Sequence, residues 1–222
     1  MRAPFNKTPR TMTPEGTFMA RVVRVIYMGT LLEKNSFQGG IMMEVPKLQI
    51  TWELPTETNV FKEGEEAKPF VISREYTHSM GPKSNLRPTV ESIIGTKLSD
   101  DEAYAFDHDE LLGIACQITV SHHETESGVW EKVTGVSPLL KGVVCPPQVN
   151  PSKILSFEKW DNELFEKLPK FIKDKIISSK EYQKMTGKSS LSSDDIAQIK
   201  ALRERDEMNF SVSEIKGSEI PF

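Results

Sequence analysis

The chain is 222 residues long with 37% hydrophobic and 27% charged side chains, the make-up of an ordinary globular protein, which excludes a collagen-like or wholly disordered one. Two cysteines are too few for a disulfide framework, and no stretch approaches the roughly 18 consecutive apolar residues of a membrane-crossing helix. The formal net charge of −4 is unevenly distributed: residues 1–12 carry Arg2, Lys7 and Arg10 with no acid, residues 13–145 hold 12 basic against 19 acidic side chains, residues 146–193 hold 9 against 6, and residues 194–222 hold 4 against 7.

The opening "MRAPFNKTPRTMTPEG" has basic residues but no apolar run behind them, so a flexible basic arm over residues 1–13 is expected rather than a secretory leader, and the expected location is cytoplasmic. "EGTFMARVVRVIY" (15–27) alternates Arg21, Val23, Val25 and Tyr27 against Phe18, Ala20, Val22, Arg24 and Ile26, a long strand using both faces. "LQITWEL" (48–54) sets Leu48, Ile50, Trp52 and Leu54 against Gln49, Thr51 and Glu53, which predicts a half-buried strand closed by Pro55. The acidic turn "KEGEEAK" leads into a third strand, "PFVISREYTHSM", with Phe70, Ile72, Arg74 and Tyr76 on one face.

"KSNLRPTVESIIGTKLSDDEAYAFDHDELLG" changes to helical spacing in Leu86, Val90, Ile93 and Ile94, and Ser99 followed by Glu102 predicts a capping box. "IACQITVSHH" and "VWEKVTGVSPL" supply two further strands joined by "ETESG". Cys116 sits in an apolar run and is expected buried, while Cys145, His122 and His123 lack zinc-ligand spacing.

Five strands with a helical insertion between the third and fourth is the arrangement of an OB-fold barrel, here spanning 14–145. The prolines of "CPPQVNPSK" predict its end. Over 146–185, Phe157, Trp160, Leu164 and Leu168 fall at helical spacing, Pro169 breaks the pattern, and Ile172 and Ile176 resume it, giving a helical appendage. Its Lys167, Lys170, Lys173 and Lys175 read as a solvated face or as an extension of a nucleic-acid path. A Ser-rich linker and a short helix capped by Ser193 fill 186–205, and 206–222 has the aperiodic character of a disordered acidic tail.

No hydrolase elbow, zinc-protease or P-loop motif occurs, and a catalytic role is not expected. The acids of "DDE" and "DHDE" suit helix N-termini at least as well as a metal. Neither a cofactor nor a resident metal is expected.

A groove for single-stranded nucleic acid needs aromatic rings on which bases stack and cations that meet phosphates. Trp52, Tyr76 and Trp130 lie in predicted strands, with Arg74 and Lys132 on the same faces as Tyr76 and Trp130, and Arg21, Arg24, Lys83 and Arg87 nearby. Because 13–145 is net acidic, this predicts a basic strand face beside an acidic back. The equal alternative for each aromatic residue is the core.

The ending Glu219-Ile220-Pro221-Phe222 sets a ring and a carboxylate on one residue behind a stiff proline, the form of a peptide ligand for a basic, apolar pocket. "EIPF" resembles the tip of bacterial single-stranded DNA-binding proteins, which recruits replication, recombination and repair enzymes. The aspartate run of that family is replaced by "SEIKGSE". Further back, "PFVISREYTHSMGPKSNLR", "LSDDEAYAFDHDELLG", "PLLKGVVCPPQVNP" and "FEKLPKFIKDKI" resemble phage-encoded OB-fold single-stranded DNA-binding proteins over about residues 14 to 182. That resemblance implies an OB barrel coating single strands in a host cytoplasm, possessing candidate contacts at Arg74, Tyr76, Lys83 and Arg87, with homo-oligomers on DNA as a further possibility. The alternatives are an adaptor that mimics the host tail without strong DNA binding, and a metal-dependent nuclease using Asp101 and Asp109.

Overall fold

The computed structural model describes residues 11–35, 41–125 and 128–187. Expectations for most of the basic arm, the Ser193 cap, the following helix and the 206–222 tail fall outside the described residues. Six strands form one sheet: β1 (Gly16–Asn35), β2 (Ile41–Asn59), β3 (Lys68–Thr77), β4 (Ala115–Thr125), β5 (Gly128–Pro138) and the short β6 (Lys153–Leu155). The order is β3-β2-β1-β4-β5, antiparallel throughout, with β6 added parallel to β1.

The protein is therefore mainly β with a few helices, and the sheet is open. No ladder joins β3 to β5 among the described residues; the two edges approach, and Arg74 Nη1 donates to Val133 O at 3.2 Å across the gap. The expected closed barrel is corrected to this open sheet, because one side-chain contact takes the place of the last ladder.

β1 holds two partners along one edge. Gly16–Arg21 pairs with β4, the register slips between Val22 and Arg24, and Arg24–Ile26 then pairs with β6. A bulge of this kind bends a strand and redirects its edge. A second slip, after Tyr27, ends at Gly29 at φ +81°, where an added Cβ would lie 2.6 Å from the Ser179 side chain. Glycine is required there because the C-terminal helices approach so closely.

On the inner face, Val22, Trp52 and Ile72 are successive cross-strand neighbours, and all are buried. Helix α1 (Leu86–Ile94) closes this core with Leu86, Val90 and Ile93, and ends on Gly95 at φ +73°, the left-handed stop that glycine supplies. Helix α2 (Asp100–Ala105) opens with the expected capping box: Ser99 N–H donates to Glu102 Oε2 and Glu102 N–H to Ser99 Oγ. A 3-10 turn follows at His108–Leu111. Cys116 is buried as expected, and burial pushes its thiol up to about 12.

The outer face of β2 departs from expectation. Gln49, Thr51 and Glu53 are buried along with their inward neighbours, so the strand is covered on both sides. The cover is residues 146–152 and helices α3 (Asn162–Lys167) and α4 (Lys170–Ser178); α5 (Lys180–Thr186) lies against β1. These elements have a core of their own, in which Ile26 and Met28 of β1 meet Leu155, Leu164, Phe165, Leu168, Ile172 and Ile176. Phe157 and Trp160 precede α3 instead of lying in one helix with Leu164, because Asp161 Oδ1 caps α3 by accepting from Leu164 N–H at 3.0 Å. Pro169 separates α3 from α4, as predicted.

Candidate nucleic-acid interface

Three adjoining clefts cross the sheet around β3. The first, about 690 Å³, is lined by Lys47, Arg74, Tyr76, Lys83, Ser84 and Asn85 among others, and lies where β3 runs into the loop before α1. The second, about 510 Å³, has Gln49, Val71 and Ser73 along its sheet side, Arg24 at one end, and Trp130 of β5 and Phe171 of α4 among its lining residues. The third, about 220 Å³, lies between Thr51, Asn150, Lys153, Leu164 and Lys167, again with Arg24. Glu75 borders the first and second, and Arg24 and Val71 border the second and third, so the three form one track.

The track's charge differs from that of the domain. Lys47, Lys83, Arg74, Arg24, Lys153 and Lys167 line it, against Glu75 and Glu131. Glu75 is itself neutralised by Lys175, whose Nζ donates to both carboxylate oxygens at 2.7 Å. Burial holds the Arg24 guanidinium below its usual value.

The sequence-derived contacts divide sharply. Arg24, Arg74, Lys83 and Trp130 come together on the track. Trp130 is 53% exposed, with its Nε1 donating to Thr125 Oγ1 at 3.1 Å, and Lys132 is exposed two residues along the same strand.

The other four are engaged in holding the fold, Tyr76 among them although it borders the first cleft. Trp52 is 0% exposed, its ring inside the core, and offers no face to a base. Tyr76 is 4% exposed; Thr89 Oγ1 donates to its hydroxyl at 3.4 Å, and Arg74 lies 4.9 Å over its ring. Arg21 donates to three backbone carbonyls, Pro146 O at 2.6 Å, Gly113 O at 2.8 Å and Cys145 O at 2.8 Å, which fasten 145–146 to β1. Arg87 bridges α1 to the start of α2 through Glu91, Asp100 and Leu98 O. A cation already ringed by acceptors has little capacity left for a phosphate.

Three track residues fell outside the sequence-derived contacts: Lys47, Lys153 and Phe171. Phe171 is 60% exposed, and it stands one position out of phase with the buried Ile172 and Ile176 of α4. An aromatic residue off the apolar stripe is the signal that would have found it.

Four of the six acids weighed as metal ligands have structural partners: Asp100 with Arg87, Glu102 in its capping box, Asp107 Oδ1 accepting from Asp109 N–H, and Asp109 with Lys159. Among the described residues, no group of three or more His, Cys, Asp or Glu could hold a metal ion, and no helix is long and apolar enough to cross a membrane. No protein-family model matches the chain, and no curated protein matches it.

Proposed function

We propose that the protein binds single-stranded DNA without sequence preference along the three-cleft track, coats it during replication and recombination, and recruits replication, recombination or repair proteins through Glu219–Phe222. The observation that carries this reading is the coincidence of a cationic path with two exposed rings, Trp130 and Phe171, on one cleft of a net-acidic domain. Stacking on an aromatic face is indifferent to base identity, which suits a coating protein.

The sheet order and the placement of α1 between β3 and β4 support reading the domain as a partly open OB-type fold. In that fold strands 2 and 3 bear the binding face, and here the first two clefts use β3. The tail contributes its resemblance to the bacterial tip and an acidic approach, Glu214 and Glu219, that would steer it to a basic partner. Its own acids would also compete with DNA for the track.

One observation favours the adaptor alternative. The outer face of β2 is covered by 146–152 and the C-terminal helices, so a strand must use the clefts beside that face rather than the face itself.

Titrating labelled oligo-dT at two salt concentrations, with duplex and oligo-U competitors, separates the readings. Binding that weakens steeply with salt and prefers single over double strands is expected. Absence of binding at low salt would leave the adaptor. Removing residues 206–222 is expected to tighten DNA binding while abolishing recruitment, and equal affinity for both forms would end the competition idea.

A further inference from the structure

Cations and, among the described residues, no acid line the third cleft, although the buried Glu53 carboxylate stands behind its Asn150 wall. Arg24 and Lys153 are register partners in the parallel pair β1 and β6, Lys167 ends α3 on the opposite wall, and no Asp or Glu of the described residues lines the space. Arg24 is partly buried, and its one hydrogen bond among the described residues runs from Nε to Thr51 Oγ1 at 3.4 Å. Lys153 makes no ion pair among the described residues, and Lys167 has only the 87%-exposed Glu163 at 3.5 Å.

Elsewhere in the molecule Arg87 is neutralised by two carboxylates, Lys175 by Glu75 and Lys159 by Asp109, while Arg21 and Arg74 donate to backbone carbonyls. Like charges gathered at a partly buried site repel, and folded chains ordinarily pair them. A cleft with three cations and no carboxylate among the described residues of its lining therefore suits an anion supplied from outside. About 220 Å³ is below the roughly 300 Å³ at which whole-ligand pockets begin, so the space fits one charged group. Thr51 Oγ1 and the Asn150 side chain are neutral polar groups on the same lining.

We propose that this cleft seats a phosphate, a backbone phosphodiester of the strand whose base lies beside Trp130 and Phe171 in the second cleft. The assignment rests on the single-strand reading, and Arg24 joins the two clefts. The guanidinium presents planar paired donors to two phosphate oxygens, while the two lysines act as point charges.

The test uses the full chain with Arg24→Gln, Lys153→Gln and, as an equal charge change outside the track, the exposed Lys184→Gln of α5. Each is titrated with oligo-dT over a salt series and melted with and without inorganic phosphate. Lys153→Gln is expected to lower the slope of log affinity against log salt by about one, and to melt higher than wild type when no ligand is present, since repulsion is relieved. Lys184→Gln is expected to match wild type.

Unchanged slopes for both Arg24→Gln and Lys153→Gln, in a wild type that binds dT, overturn the phosphate seat and leave the single-strand function standing. If wild type binds no dT but inorganic phosphate raises its melting temperature and not that of Lys153→Gln, the function fails and the site survives with free phosphate as its ligand. No dT binding and no phosphate effect overturn both. Should Arg24→Gln fold poorly, the solvent-accessible Lys153 carries the decision.

Discussion

The wholly buried carboxylate of Glu53 holds Asn150 twice, accepting from its backbone N–H at 2.7 Å and from its side-chain amide at 2.6 Å, while its other oxygen accepts from Val149 N–H at 2.6 Å. Together with the three carbonyls bound by Arg21, this pair fastens 145–150 across β1 and β2, and so fixes one wall of the third cleft. Glu53→Ala strips three donors, on the exposed residues Val149 and Asn150, of their acceptor. It is expected to cost about 1–3 kcal/mol, read as a lower urea midpoint, and a midpoint equal to wild type would show that the strap is not held here.

Of the three tryptophans, Trp52 is buried and Trp130 is 53% exposed. Trp130→Ala is expected to weaken oligo-dT binding by about 10- to 100-fold, the value of one base stack, with little change in melting temperature. Trp52→Ala is expected to lose about 3–5 kcal/mol of stability through its cavity. Trp130→Phe keeps a stacking ring and should keep most affinity while removing DNA-dependent fluorescence quenching. Quenching that persists in Trp130→Phe would point to another ring.

The strands were legible because alternation and β-branched residues mark them directly: Leu48, Ile50, Trp52 and Leu54 read as one face, and they are one. What alternation cannot convey is whether the opposite face meets water. Gln49, Thr51 and Glu53 look like a solvated row and lie under a strap that begins 93 residues after Glu53, at Pro146. For the same reason Trp52 and Trp130 were indistinguishable, since each sits in an alternating strand and long-range cover decides which is core. The three-residue β6 had no periodicity to read, because it exists only where the bulge of β1 exposes an edge. The Ser99 and Glu102 capping box was legible because it is wholly local.

Lys83 and Arg87 stand four residues apart and should behave differently. Lys83 is exposed on the first cleft, whereas Arg87 is tied to Glu91, Asp100 and Leu98 O. Lys83→Ala is expected to weaken DNA binding uniformly across sequences and reduce the salt slope by about one, leaving stability unchanged. Arg87→Ala is expected to lower the melting temperature by loosening α1 from α2, with the slope intact. A reduced slope for Arg87→Ala, in protein that remains folded, would return that residue to the DNA path.

His108 sets the acid limit of the fold. It is 3% exposed, its Nε2 has no hydrogen-bond partner among the described residues, and its ring lies 5.0 Å from His78 and 6.1 Å from Tyr27. Burial foremost, and then the neighbouring His78, push it from 6.5 down to about 4 against the opposing pull of Asp107. The unfolded chain therefore binds a proton at higher pH than the folded one does. Stability is complete above about pH 6.5 and is lost as the pH falls toward 4, by on the order of 3 kcal/mol at the lower end. Urea midpoints measured from pH 7.5 to 4.5 are expected to fall through this window in wild type and to fall less in His108→Phe, whose neutral ring takes no proton. The carboxylates held low by partners, such as Glu102 and Glu181, lose their contribution only at more acid pH, so the upper part of the window belongs to His108 and to His78, which burial also lowers. An equally steep fall in His108→Phe would assign the acid sensitivity to another group.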